Sequence, residues 1–294
     1  MVSQRTLSRS SEPVIGTHLN RDAHPSVRFH PGSPESGIIF IRSDLPDNPS
    51  VKCCLENLRE QQRWTSLEQD NVWIHHTEHI LAAIAGAGID NVVVEVNTDR
   101  IPIVSGGSCA DFYAALLRAG VREQNMPRQV FALRRPVYVE GKLIRLKNNS
   151  KAVDTNTKRY ILGVPDDSFS VSYVFHVPGI DKLPIGFAEY HASYNSFGDY
   201  IGKARSYFLW VELDEISPLW GPELQDFFVL TPQSESSLVN EVAQHKILDF
   251  IGDLMVLGRP VLGRFVAIRS GHHHHHEFLR EMINRGYLEL KRLS

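Results

Sequence analysis

The chain has 294 residues, a soft prior of about two domains, with 31 Lys and Arg against 34 Asp and Glu for a formal net charge of −3. With 42% hydrophobic and 22% charged residues, it can build a sizeable core, which excludes wholesale disorder. The near-neutral charge offers a nucleic-acid backbone nothing to bind. Three cysteines without a CxxC pair exclude a disulfide framework, and no apolar run is long enough to span a bilayer. The polar residues 1–12, with Arg5 and Arg9, lack the apolar segment of a secretory signal. A cytoplasmic protein with no stable membrane insertion and an open oligomeric state is expected.

In chain order, residues 37–42 (GIIFIR) lie between turn signals and predict a strand. Residues 77–86 (TEHILAAIAG) predict a helix opened by Thr77, a good N-cap residue, and ended by Gly86 and Gly88. Residues 91–97 (NVVVEVN) predict a buried strand, 105–108 a tight loop, and 109–119 (CADFYAALLRA) a helix. The polar segment 120–128, with Pro127, is the expected boundary between domains 1–124 and 125–294. Residues 129–133, 136–139 and 143–146 suggest a meander around Glu140 and Gly141, followed by a polar connection over 148–159. Residues 170–177 predict a strand, and 181–236 resist assignment. Residues 240–257 give the clearest helix, 262–268 a strand and 277–285 a closing helix. Strands and helices mix without regular βαβ alternation, so the expected class is α+β.

The 14 histidines direct attention to three places. His245, Asp249 and Asp253 stand at i, i+4 and i+8, on one helix face, where an imidazole and a carboxylate one turn apart can reach one metal ion. A solvated polar face is the simpler account of that row taken alone. Glu78 and His79 are adjacent at the mouth of the first helix, about 100° apart, so one could ligate a metal while the other faces a water. Taken alone, this too could be a helix start with a favourable acid and surface histidines. Together, His79, His245 and Asp249 offer three ligands with an open fourth position, the pattern of a catalytic zinc site, in which iron could substitute. Ser270, Gly271 and His272 precede four more histidines, 273–276. The run resembles a purification tag but is internal, and only His272 is expected to be catalytic, with the others on the surface binding metal adventitiously.

These residues carry a resemblance. TEHILAAIAGAGIDNVVVEVN, RIPI with its Gly/Ser loop, and above all HKILDFIGDLMVLGRPVLGRFVAIRSGH are similar to the UDP-3-O-acyl-N-acetylglucosamine deacetylases, zinc amidases of lipid A biosynthesis. QRTL, GIIFIRSDLP and FHVPGI are weaker echoes. The resemblance implies two similar α/β-layered domains forming a sandwich, with helices between two sheets and zinc at the domain interface. It implies zinc ligands His79, His245 and Asp249 and a general base Glu78. It implies an oxyanion-stabilising acid His272 held charged by Asp253, and substrate-binding residues Lys246 and Phe175. Ser206, in ARSYFLW, stands where the family has a threonine that supports the oxyanion. The expected substrate is an amphiphilic UDP-sugar. The alternatives are a paralogous amidase for a less lipidic N-acyl amino sugar and a non-catalytic metal or sugar-nucleotide binder. Glu78 and His272 argue against the binder, since neither is needed to hold a metal. Departures from the pattern fall at Gly16, Thr17 and His18, at 105–108, and in the short stretch 207–240. There, Pro218, Gly221, Pro222 and Pro232 disfavour a strand–helix–strand unit, so a reduced acyl passage is expected.

Overall fold

The computed structural model describes residues 2–17, 24–61, 63–142, 158–178, 183–213 and 227–293. Among them are four α-helices: α1 (Thr77–Gly86), α2 (Ala110–Ala119), α3 (Ser236–Leu254) and α4 (His272–Asn284). The fold is α+β, as the mixed pattern predicts.

The β-branched residues of the first part form a five-stranded sheet. Its centre is Val92–Val96, parallel to Ile38–Arg42 on one side and antiparallel to Ser26–Pro31 on the other. Alternate residues of these strands are buried, so the sheet has one core face. In the second part, Val261–Ile268 is the hub of a seven-stranded sheet. It runs parallel to Phe169–Phe175 and antiparallel to Lys158–Val164.

The helices occupy the core between these elements. α1 is Ala-, Ile- and Leu-rich, and seven of its residues are buried, as expected of a helix with no solvent face. It packs on α2 and α3, while α3 lies on Phe169–Phe175 and Gly186–His191. Phe29 of the first sheet meets Phe112 of α2 edge-on, with ring centroids 6.4 Å apart. One apolar cluster runs through both parts of the chain.

Two glycines shape the C-terminal end of α3. Gly252 of α3 faces the start of α1 so closely that a Cβ there would lie 2.0 Å from the Glu78 carbonyl oxygen. Gly258, at φ 78°, ends the Met255–Leu257 turn that prolongs α3.

Several expectations need correction. Most of the polar segment 120–128 is a strand that went unpredicted: Val121–Pro127 pairs antiparallel with Ser3–Leu7. The meander is absent among the described residues, for Gln129–Leu133 pairs with Val261–Ile268 and Leu288–Arg292, while Val137–Lys142 pairs with Lys158–Val164. Glu140 and Gly141 therefore lie within a strand. The third expected strand of that meander, 143–146, and most of the polar connection lie outside the described residues. α4 begins five residues earlier than expected, at His272, so the histidine run is helical. Within the unassigned stretch, Tyr207–Leu209 and Phe228–Leu230 form a parallel pair, although Pro and Gly nearby disfavour one, because the pairing partners themselves are aromatic and aliphatic. Pro218, Gly221 and Pro222 lie outside the described residues, as does His18.

Candidate metal centre and active site

A hairpin delivers the chain into the site. Ser66–Gln69 and Val72–His75 are joined by Asp70 and Asn71, both at positive φ (53° and 65°), the geometry of a tight two-residue turn. Pairing of Ser66 with His75 brings Thr65 beside the start of α1. There the Thr77 amide and hydroxyl both donate to the Thr65 carbonyl, at 3.1 Å. Thr77 is therefore the first helical residue, and the N-cap position is His76 at φ 62°.

The three expected ligands converge. His79 Nε2 lies 3.4 Å and His245 Nε2 3.5 Å from Asp249 Oδ1, and the ring centroids are 5.0 Å apart. His245 Nδ1 is 3.0 Å from the Ala204 carbonyl oxygen, which can only accept, so Nδ1 carries the hydrogen and the Nε2 lone pair faces Asp249. Burial pushes His245 down to about 3, partly opposed by the Asp249 charge, so the ring is neutral. Asp249 is 1% exposed, yet its Oδ1 has no hydrogen-bond partner. Its other oxygen accepts from Lys246 Nζ at 2.8 Å. Burial opposes the Asp249 charge, but the cationic Lys246, aided by His272, holds it well below the usual carboxylate range. An orphaned buried carboxylate oxygen facing two imidazole nitrogens, with all three ligand atoms within 4.8 Å of one another, fits a divalent cation.

Glu78 and His272 also stand at this centre. Glu78 is 4% exposed, and its Oε2 accepts from the Thr65 amide at 2.9 Å. Burial raises its proton affinity, with His272 and His79 pulling the other way. His272 turns Nε2 toward Asp249 Oδ2, 3.8 Å away, and Nδ1 to Asp253 Oδ2, at 2.8 Å. Burial works against a charge on this ring, but Asp253 and Asp249 override it and lift His272 to about 9. Asp253 is fully buried and held well below its usual range: burial disfavours its charge, and His272 outweighs that. The polar stripe of α3 is thus a buried face rather than a solvated one.

The remaining expected residues gather around Tyr207. Phe175 is buried and meets Tyr207 edge-on at 5.2 Å, and Lys246 Nζ lies 5.3 Å over the same Tyr207 ring. Ser206 precedes Tyr207, and its amide donates to the Gly106 carbonyl at 2.9 Å, which ties it to the 105–108 turn.

The histidine run overturns one expectation. His274, His275 and His276 are buried, at 3%, 1% and 0% exposure, and are not surface residues. Once α4 starts at His272, positions 272, 275 and 276 share one helix face and turn into the core. That i, i+3, i+4 spacing was the sequence signal for the inward histidines. Thr65, which meets both Glu78 and Asp253, had no comparable signal, since its partners lie far along the chain.

Comparison with known proteins points to one family. The UDP-3-O-acyl-N-acetylglucosamine deacetylase of Myxococcus xanthus (strain DK1622) is 29% identical over 293 residues, covering 96% of this chain and 87% of that protein. The sequence profile described as UDP-3-O-acyl N-acetylglycosamine deacetylase matches residues 4–284. That span takes in the five-stranded sheet, the seven-stranded sheet apart from its edge strand Leu288–Arg292, and every residue of the site, and the chain belongs to this deacetylase family.

Proposed function

We propose that the chain hydrolyses the N-acetyl group of a 3-O-acylated UDP-N-acetylglucosamine, releasing acetate and a free amine, as a step of lipid A biosynthesis. The observation that carries this reading is the convergence of His79, His245 and the unpartnered Asp249 Oδ1, with Glu78 and His272 at the same centre. Two histidines and one carboxylate with an open position suit zinc, and iron is the runner-up for the same nitrogen and oxygen donors. When bound, the ion supplies Lewis acidity to the amide carbonyl and to the attacking water.

The chain's own groups then divide the proton work. Glu78 takes the proton of the attacking water; the Thr65 amide fixes its carboxylate, and burial raises its affinity toward that of a useful base. His272, charged, faces the developing oxyanion and holds a proton at Nε2 for the leaving nitrogen. Asp253 keeps the opposite ring nitrogen protonated. In this reading the Ser206 hydroxyl adds a hydrogen bond to the oxyanion, and Lys246 and Phe175 contact the substrate.

The reading includes a division into domains 1–124 and 125–294. Its support is that the five-stranded sheet with α1 and α2 comes from the first span, and the seven-stranded sheet with α3 and α4 from the second. No helix among the described residues is long and apolar enough to cross a membrane; a UDP-sugar substrate argues for work in the cytoplasm, where nucleotide sugars are made.

The test is acetate release from the 3-O-acylated UDP-sugar and from unacylated UDP-N-acetylglucosamine. Release from the acylated substrate, abolished by chelation and restored by zinc, is expected. Faster release from the unacylated sugar would favour a paralogous amidase, and release from neither would overturn the assignment.

A further inference from the structure

Asp253 is served by more hydrogen-bond donors than one catalytic histidine requires. Its Oδ2 meets His272 Nδ1 at 2.8 Å and His275 Nδ1 at 2.6 Å. Its Oδ1 meets the Thr65 hydroxyl at 2.5 Å. The Thr65 oxygen in turn lies 2.9 Å from His276 Nε2.

Counting hydrogens fixes the direction of each bond. The Thr65 hydroxyl has one hydrogen, and Asp253, ionised, can only accept it. His276 Nε2 must therefore donate to the Thr65 oxygen, which leaves His276 Nδ1 as a lone pair. That atom is buried without a partner, as this assignment requires, and a bare acceptor is the cheaper orphan. His275 donates through Nδ1 to Asp253, so its Nε2 accepts from the Ser270 hydroxyl at 3.0 Å. Ser270 belongs to the turn that carries His272, and its carbonyl accepts from Tyr173 Oη at 2.5 Å. Phe250 holds the His275 ring edge-on at 5.1 Å. Two chains of donors thus end on one carboxylate, one through the 270–272 turn and one through the hairpin that also holds Glu78.

We propose that His275, and Thr65 backed by His276, are positioning residues for the deacetylase reaction: they clamp the Asp253 carboxylate so that it aims the His272 ring at the substrate. None of the three is required to touch the substrate. The clamp also explains why His275 and His276 are buried, a costly placement for a polar ring unless it is hydrogen-bonded. Through Thr65 the clamp joins base and acid: its amide holds Glu78, and its hydroxyl holds the partner of His272. The inference rests on the catalytic reading of His272 given above.

The experiment compares deletions with conservative replacements at each donor, in the metal-loaded enzyme with the 3-O-acylated UDP-sugar. His275→Leu and Thr65→Val remove the donors, and Thr65→Val leaves the backbone bond to Glu78 in place. His275→Asn and Thr65→Ser keep an N–H or O–H near the same point. The deletions are expected to lower kcat about 10- to 100-fold, with KM within about twofold and bound metal unchanged. The conservative variants should recover kcat to within about threefold of wild type. His276→Gln, which keeps a donor near Nε2, should behave as Thr65→Ser does. Equal losses in His275→Asn and His275→Leu would show that the ring is there for packing, and overturn the proposal. So would unchanged kcat in Thr65→Val, or a loss confined to KM or to metal content. If His275→Leu does not fold, the Thr65 pair decides, since valine nearly matches threonine in shape. An inactive wild type would instead sink the catalytic reading itself.

Discussion

At the scale of single residues, the site pairs a carboxylate whose affinity for a proton is raised with an imidazole lifted to about 9. In the proposed mechanism the working form has Glu78 without its proton and His272 with it. Activity should therefore rise with pH through a limb above the ordinary carboxylate range and fall through a second limb near 9. The two limbs belong to the coupled pair, and a pH profile of kcat/KM checks them. Glu78→Gln should retain metal and lose activity by about 10²- to 10⁴-fold, the usual worth of a positioned base. Near-normal turnover in that variant would point to a different base. Asp249→Ala, measured by metal content after dialysis, should lose most of the bound ion. Five of these residues, Glu78, His79, His245, Asp249 and Asp253, were legible because motif and helical spacing placed them on predicted helices, whereas His272 was legible only through the resemblance of its Ser-Gly-His stretch. Thr65 was not, because its role comes from a hairpin that sets it against α1 and α3, and no local pattern encodes that.

At the scale of elements, the crossing of α1 and α3 sets how the two halves of the site meet. Gly252→Ala would put a methyl group 2.0 Å from the Glu78 carbonyl oxygen, where the neighbour is backbone and cannot swing aside. The helices must separate, at a cost of about 1–3 kcal/mol by analogy with other overpacked contacts. A lower Tm is expected together with a kcat loss, because the shift moves Glu78 itself; a variant with wild-type Tm and kcat would refute this. Helices α1, α2 and α3 were readable from their apolar periodicity. The strands Val121–Pro127 and Leu288–Arg292 were not, since both are largely exposed and polar and are held by backbone pairing rather than by an apolar face. The start of α4 was missed because a histidine run has weak helix propensity, and burial against Asp253 overrides it.

For the whole molecule, the buried site should impose a pH optimum of stability on the metal-stripped protein. His272, lifted to about 9, favours the folded state fully below its ordinary value near 6.5, and that gain is lost as pH rises through 9. His245, depressed to about 3, must stay neutral, so stability present above 6.5 is lost as pH falls toward 3. Each contribution is on the order of a few kcal/mol, so Tm measured in chelator should peak near pH 6.5 and fall on both sides. A monotonic curve would contradict the assignment of charges. The α+β class was legible from the mixed order of elements, whereas the pairing of distant strands such as Ser3–Leu7 with Val121–Pro127 was not.

His79 comes from α1, and His245 and Asp249 from α3, and the two helices meet closely at Gly252. An ion shared by these two helices is a cross-link that unfolding must break. By mass action, each tenfold rise in free metal above its dissociation constant adds about 1.4 kcal/mol to the free energy of unfolding. With the proposed ion in place, its supply would act on how much of the enzyme survives proteolysis, as well as on how fast each molecule turns over.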